Sequence, residues 1–265
     1  MTSAEKSKFN GDIFILGAGF SKAVSSNMPT LKELSFSLSE QIDSLFLPGQ
    51  APDDKIKCDI ERFLSYLGQD YPWLGQALQL RNRAAFLELS QMIGNEIKKR
   101  QATIKINDLK KWFQELIQLW YYERMDVITF NYDILIELFA SSRVFNGLDV
   151  SDMYPVTLSP ARTRSGRSVV DSDKIGKAFS FSLYKLHGSL NYFYSGSQEY
   201  FGEPIYLQYE HYSEFEPALM GGDVSDKVPL IVPPTIDKTS FFRNETIRKI
   251  WQQASAVQNN LTLLN

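Results

Sequence analysis

Apolar residues in this chain come in short runs that stop abruptly, and the stops carry as much information as the runs. Ile13-Phe14-Ile15-Leu16 is apolar at every position, which predicts a strand buried on both faces, like the central strand of a parallel sheet. Asp126-Val127-Ile128-Thr129-Phe130 predicts a second strand. The run FSFSLYKL at 179–186 alternates as a third, and Leu230-Ile231-Val232, closed by Pro233-Pro234, predicts another. Asn191 to Tyr194 fits a short strand.

Elsewhere the period is helical. Leu31, Leu34, Leu38, Ile42 and Leu45 fall on one face behind a capping box of Thr30 and Glu33. Ile60, Phe63, Leu64 and Leu67 share a face, as do Leu109, Trp112, Phe113, Leu116 and Trp120 behind an Asn107 cap. ILIELFAS at 134–141 follows the second strand, and a last helix from near Arg243 aligns Ile247, Ile250, Trp251 and Ala254. Residues 48–54 and 151–175 read as loops. The order predicts an α/β fold with a parallel sheet, one domain over 1–265, with a helical insertion or cap at 55–120.

Composition narrows the class. The 265 residues are 43% hydrophobic and 22% charged, with net charge −3, the profile of a globular chain. A lone cysteine, Cys58, excludes an internal disulfide and a multi-cysteine zinc site, and two histidines, His187 and His211, are too few for a histidine cluster. No metal site is expected. The first ten residues hold no apolar segment of a secretory leader, and no run reaches the ~18–20 residues of a membrane span. The reading is cytoplasmic, with no membrane partner. Arg162, Arg164 and Arg167 read as a solvated loop; the chain is acidic and no aromatic platform lies beside them, so nucleic-acid binding is not expected.

Three predicted strands end in small or polar residues: GAGFS, TFNYD and KLHGS. In open α/β sheets, ligands bind beyond the carboxyl ends of the strands. Neighbouring strands would therefore pool the three clusters in one crevice. Gly17-Ala18-Gly19 suits an anion cradle or a plain tight turn, since Lys22 stands at the last glycine position of the G-x-G-x-x-G fingerprint. Asn131 and Asp133, two apart, can both face a ligand or cap the following helix. His187 sits where a general base would be, and a structural histidine is the alternative. His211 has no such strand-end setting and reads as structural or surface. The tracts Asn191–Tyr194 and Tyr206–Tyr212 could form an interface or belong to the core.

Together, Gly17-Ala18-Gly19-Phe20-Ser21, Pro29-Thr30, Thr129-Phe130-Asn131-Tyr132-Asp133 and Lys185-Leu186-His187-Gly188-Ser189-Leu190-Asn191 resemble the motifs of the sirtuin-like family. The likeness covers residues 11–255 and is closest to the prokaryotic branch of anti-phage defence systems; Asp59–Leu64 also looks like that branch's helical part. The resemblance implies a Rossmann-like sheet and NAD as substrate. Gly17, Ala18, Gly19, Phe20 and Ser21 would cradle the phosphates, with Thr30, Thr129, Gly188 and Ser189 as further binding positions. Asn131 would position the ribose hydroxyls and the water, Asp133 the nicotinamide end, and His187 would be the general base.

Three departures qualify what is implied. The four-cysteine zinc module of deacetylating sirtuins is absent, which argues against protein deacetylation. Phe130 replaces the family glutamine, and the arginine after the first motif is missing. The helix near Arg243–Asn259 would lead to a further strand, for which Leu261-Thr262-Leu263-Leu264 are candidate first residues, but the C-terminal strand and turn on the adenosine side are missing. The implied activity is NAD glycohydrolysis, giving nicotinamide and ADP-ribose, in a defence effector controlled by homo-oligomerisation or a partner protein. The alternatives are a non-catalytic NAD or ADP-ribose sensor and a scaffold subunit of a larger complex.

Overall fold

The computed structural model describes residues 12–46, 59–140, 150–160, 180–195, 205–207, 228–235 and 241–262. His211, Cys58, the 48–54 loop and the 162–167 arginines lie outside them.

In chain order, β1 (Ile13–Leu16) runs into α1 (Ala18–Val24) and α2 (Leu31–Ser44). Three helices follow: α3 (Ile60–Leu67), α4 (Gln76–Gln101) and α5 (Lys111–Glu123). Then come β2 (Asp126–Thr129), α6 (Leu135–Phe139), β3 (Ser159–Pro160), β4 (Ser182–Lys185), β5 (Gly188–Tyr194), β6 (Tyr206–Leu207), β7 (Val228–Ile231) and α7 (Glu245–Thr262).

The strands form two sheets. One is parallel, in the order β1-β2-β4, with Leu16 opposite Thr129 and Thr129 opposite Lys185. Its three carboxyl ends are therefore level. The helices supply the long crossovers that parallel pairing requires. The second sheet, β3-β6-β5-β7, is antiparallel apart from the β3–β6 pair. Only Leu186 and His187 separate β4 from β5, so the strand that ends at the first sheet's rim passes straight into the second.

One core joins the helices to the parallel sheet. Trp120 of α5 is fully buried at its centre, with the rings of Phe14, Phe20 and Phe181 5.3, 6.1 and 5.9 Å away. The face read for α3 is buried as expected, and that of α2 is buried at Leu34, Leu38 and Ile42 and half-buried at Leu31 and Leu45. The Thr30–Glu33 capping box is present: the Glu33 N–H donates to Thr30 and the Thr30 N–H donates to the Glu33 carboxylate.

Several expectations need correcting. β1 is an edge strand among the described residues, and Ile15 is 59% exposed; a pattern apolar at every position does not distinguish a centre from an edge. Asn107 does not cap α5. It lies in a 3₁₀ turn, Ile106–Asp108, and Lys110 is the N-cap. Leu261 and Thr262 continue α7 rather than starting a strand, for no Gly or Pro interrupts the helix before them. Of the two readings open for Asn191–Tyr194, burial of Tyr192 and Phe193 selects the core.

Candidate functional site

β1 stops at Gly17, which has extended backbone (φ −122°, ψ −175°) and N-caps α1 without a side-chain cap or an acidic residue in the first turn. The first amides of a helix have no intrahelical acceptor, so this end presents donors and partial positive charge. Gly17, Ala18 and Gly19 are exposed. A Cβ at Gly17 or Gly19 would meet no described heavy atom within 4 Å, and neither residue has positive φ. Nothing in the described fold demands glycine there. What glycine provides is bare backbone facing open space.

Phe20 points the other way, into the core against Trp112, Phe113 and Trp120. It anchors the turn and does not line the crevice. Lys22, at the sixth fingerprint position, is tied to Glu33 at 2.6 Å and to the Ser26 carbonyl. This pair and the Thr30 N–H bond hold the Glu33 carboxyl down at about 2, the Lys22 contact being the larger cause. Thr30 thus serves the start of α2.

The second motif closes on the first. Asn131 Nδ2 donates to the Gly17 carbonyl at 2.9 Å and to Ser21 Oγ at 2.8 Å. Ser21 Oγ donates to Asp133 Oδ2 at 2.6 Å, and Asp133 Oδ1 accepts from the Leu135 N–H. A carbonyl can only accept, so the Asn131 amide orientation is determined: its two N–H donors face inward and Oδ1 is the group it can offer a ligand. Asp133 is 8% exposed with both oxygens engaged. Its Leu135 bond is a local turn ahead of α6, whose N-cap is Ile134 without a side-chain cap bond, so Asp133 is not the helix cap. Thr129 is buried, and its hydroxyl accepts from the Asn131 N–H. Tyr132, between the two, turns to the opposite side, where its hydroxyl donates to the Val232 carbonyl at 2.6 Å. Burial is the main reason its phenol stays protonated far above the usual range.

His187 is half-buried in the β4–β5 turn, at the same end of the sheet as Gly17 and Asn131. Its carbonyl accepts from the Val232 N–H at 2.8 Å. Gly188 has φ +78°, and a Cβ there would lie 2.1 Å from the Leu230 carbonyl oxygen. This glycine is required by the backbone, in contrast to Gly17 and Gly19. Ser189 is fully buried against the Tyr132 carbonyl. Neither Gly188 nor Ser189 presents a side chain to the crevice.

An aromatic wall that the sequence reading missed stands beside His187. Its ring lies 5.0 Å from Phe130, 6.4 Å from Tyr132 and 6.3 Å from Trp251. Phe130 is 37% exposed at the strand end. Trp251 of α7 is locked by its indole N–H, which donates to the Leu186 carbonyl at 2.9 Å. The signal available was Phe130 itself, an aromatic where the strand leaves the sheet.

Of the predicted site residues, the structure thus brings Gly17, Ala18, Gly19, Ser21, Asn131, Asp133 and His187 to one end of the parallel sheet. Phe20, Thr30, Thr129, Gly188 and Ser189 support that end from behind. Among the described residues, no three His, Cys, Asp or Glu side chains group as a metal site, and no helix is long and apolar enough to cross a membrane. No family model, curated protein or solved structure matches the chain.

Proposed function

We propose that this chain is a sirtuin-like NAD glycohydrolase, cleaving the nicotinamide–ribose bond with water to give nicotinamide and ADP-ribose. The observation that carries the reading is the meeting of three separate strand ends at one sheet edge, where Asn131 is bonded directly to the glycine turn. The exposed backbone of Gly17–Gly19 suits the pyrophosphate. Asn131 Oδ1 suits a ribose hydroxyl or the attacking water, as an acceptor. His187 suits proton removal from that water or hydroxyl, a contribution of ~10²–10⁴-fold for a positioned general base. The faces of Phe130 and Trp251 beside it suit a planar cationic pyridinium. A role in anti-phage defence, with NAD loss as its effect and control by self-assembly or a partner protein, belongs to the same proposal.

The test is nicotinamide release from NAD by the purified chain, beside His187→Ala. Release that disappears in the variant supports the assignment. Release that persists in full removes His187 from the mechanism. One observation favours a second reading, a binder without turnover: the Asn131 donors and the Asp133 carboxylate are engaged within the protein. A rise in melting temperature with NAD and no nicotinamide release would select that reading.

A further inference from the structure

Behind the Asn131–Asp133 turn lies a charged pair for which the proposed reaction has no use. Lys185 closes β4, and Glu137 sits on α6; their side chains are each 1% exposed and meet at 2.9 Å. Lys185 Nζ also donates to the Asp133 carbonyl. The next atom of that peptide group is held as well, since the Ile134 N–H donates to Gln101 Oε1 at 2.8 Å, and Gln101 is buried at the end of α4. The Asp133–Ile134 peptide is therefore gripped on both sides. On the far side, Glu137 Oε1 accepts from the Tyr154 hydroxyl at 2.8 Å, and that hydroxyl accepts from Asn191 Nδ2 of β5 at 3.0 Å. Burial, and then the nearby Glu137 carboxylate, push the Tyr192 phenol up.

Stability does not explain such a pair. Desolvation offsets the attraction of buried ions, and apolar residues of similar volume often do as well. A buried ammonium does supply direction: it is a charge-assisted donor aimed at one carbonyl. The carbonyl belongs to the residue whose carboxylate holds Ser21, and Ser21 accepts from Asn131.

We propose that Lys185, held by Glu137, is a positioning residue for the candidate site: with Gln101 it sets the plane of the Asp133–Ile134 peptide, and through Asp133 and Ser21 the place of the Asn131 carboxamide. The activity arm of the test rests on the NAD reading, and the structural arm does not.

The decisive variant is Lys185→Met with Glu137→Gln. It removes both charges of the pair together and keeps an acceptor for Tyr154. Nuclear magnetic resonance of the Asn131 side-chain amide and hydrogen exchange at the Leu135 amide report the turn directly. In the double variant the Asn131 resonances shift and broaden, the Leu135 amide exchanges faster, and the melting temperature stays close to that of the parent. Nicotinamide release then falls about 10–100-fold in kcat with KM within about twofold, as a small misplacement of a reacting group does. Lys185→Arg, which retains a donor for the carbonyl, recovers part of the loss. Unchanged Asn131 resonances and unchanged Leu135 exchange overturn the proposal. So does a double variant that fails to fold, for the pair would then be a requirement of the fold. A parent that releases no nicotinamide defeats the NAD reading alone, and the resonance and exchange data still decide the role of Lys185.

Discussion

Two glycines of this protein have different reasons for being glycine, and substitution separates them. Gly188 has positive φ and no room for a Cβ, so Gly188→Ala lowers stability by at least about 2 kcal/mol, read in denaturant melts. Gly19 lies in the first turn of α1 with open space above it. Gly19→Ala therefore removes a poor helix former and gains roughly 0.5–1 kcal/mol. The same methyl would stand where the phosphates are proposed to approach. We expect Gly19→Ala to raise the melting temperature slightly while abolishing the further rise caused by NAD. A variant that keeps its NAD response would place the phosphates elsewhere. A gain in stability coupled to a loss of binding marks a functional site, and a merely structural turn would not show it.

The Thr30–Glu33 capping box was legible in the sequence, and it yields a pH effect. Thr30→Ala should cost about 1 kcal/mol, measured by urea unfolding. Glu33 has a folded value of about 2 against 4.5 for the ordinary carboxyl, so its contribution is complete above about pH 4.5 and is lost as the pH falls towards 2. Glu33→Gln should flatten the acid side of the stability profile within that window, as followed by thermal melts across pH. The three parallel strands were legible because each apolar run ends in Gly, Asn or His. The neighbour relations were not, since periodicity is blind to what lies beside a strand: Ile15 reads as central and, among the described residues, is at an edge. Asn107 reads as a cap because its type favours one, yet a 3₁₀ turn took it up. Lys185 and Glu137 each stand alone as a charge in an apolar element, FSFSLYKL and ILIELFA. Opposite lone charges in two buried elements are a sequence signal for an ion pair, one that strand and helix patterns do not weigh.

The two sheets meet through His187, so the candidate site sits where the parallel sheet hands the chain to the antiparallel one. Ligand binding at such a junction should stabilise both sheets together. At NAD concentrations near 100 times its Kd, linkage adds about 2.7 kcal/mol, or roughly 5 °C in melting temperature for a chain of this length, and both sheets should gain protection from hydrogen exchange. Protection confined to the turn around Gly17 would mean that ligand engages that turn alone. The bonds that build the site also have a consequence in time. Ser21 reaches its partner Asp133 across 112 positions, and Asn131 reaches Gly17 across 114. On a ribosome adding about 5–20 residues per second, the glycine turn waits roughly 10–30 s for the β4–β5 turn carrying His187 to emerge. The helices between β1 and β2 are built from local contacts and can collapse meanwhile. A nascent chain, or a fragment ending before β4, therefore lacks one of the three strand ends, and on the proposed NAD reading cleavage would begin only after most of the synthesis is over.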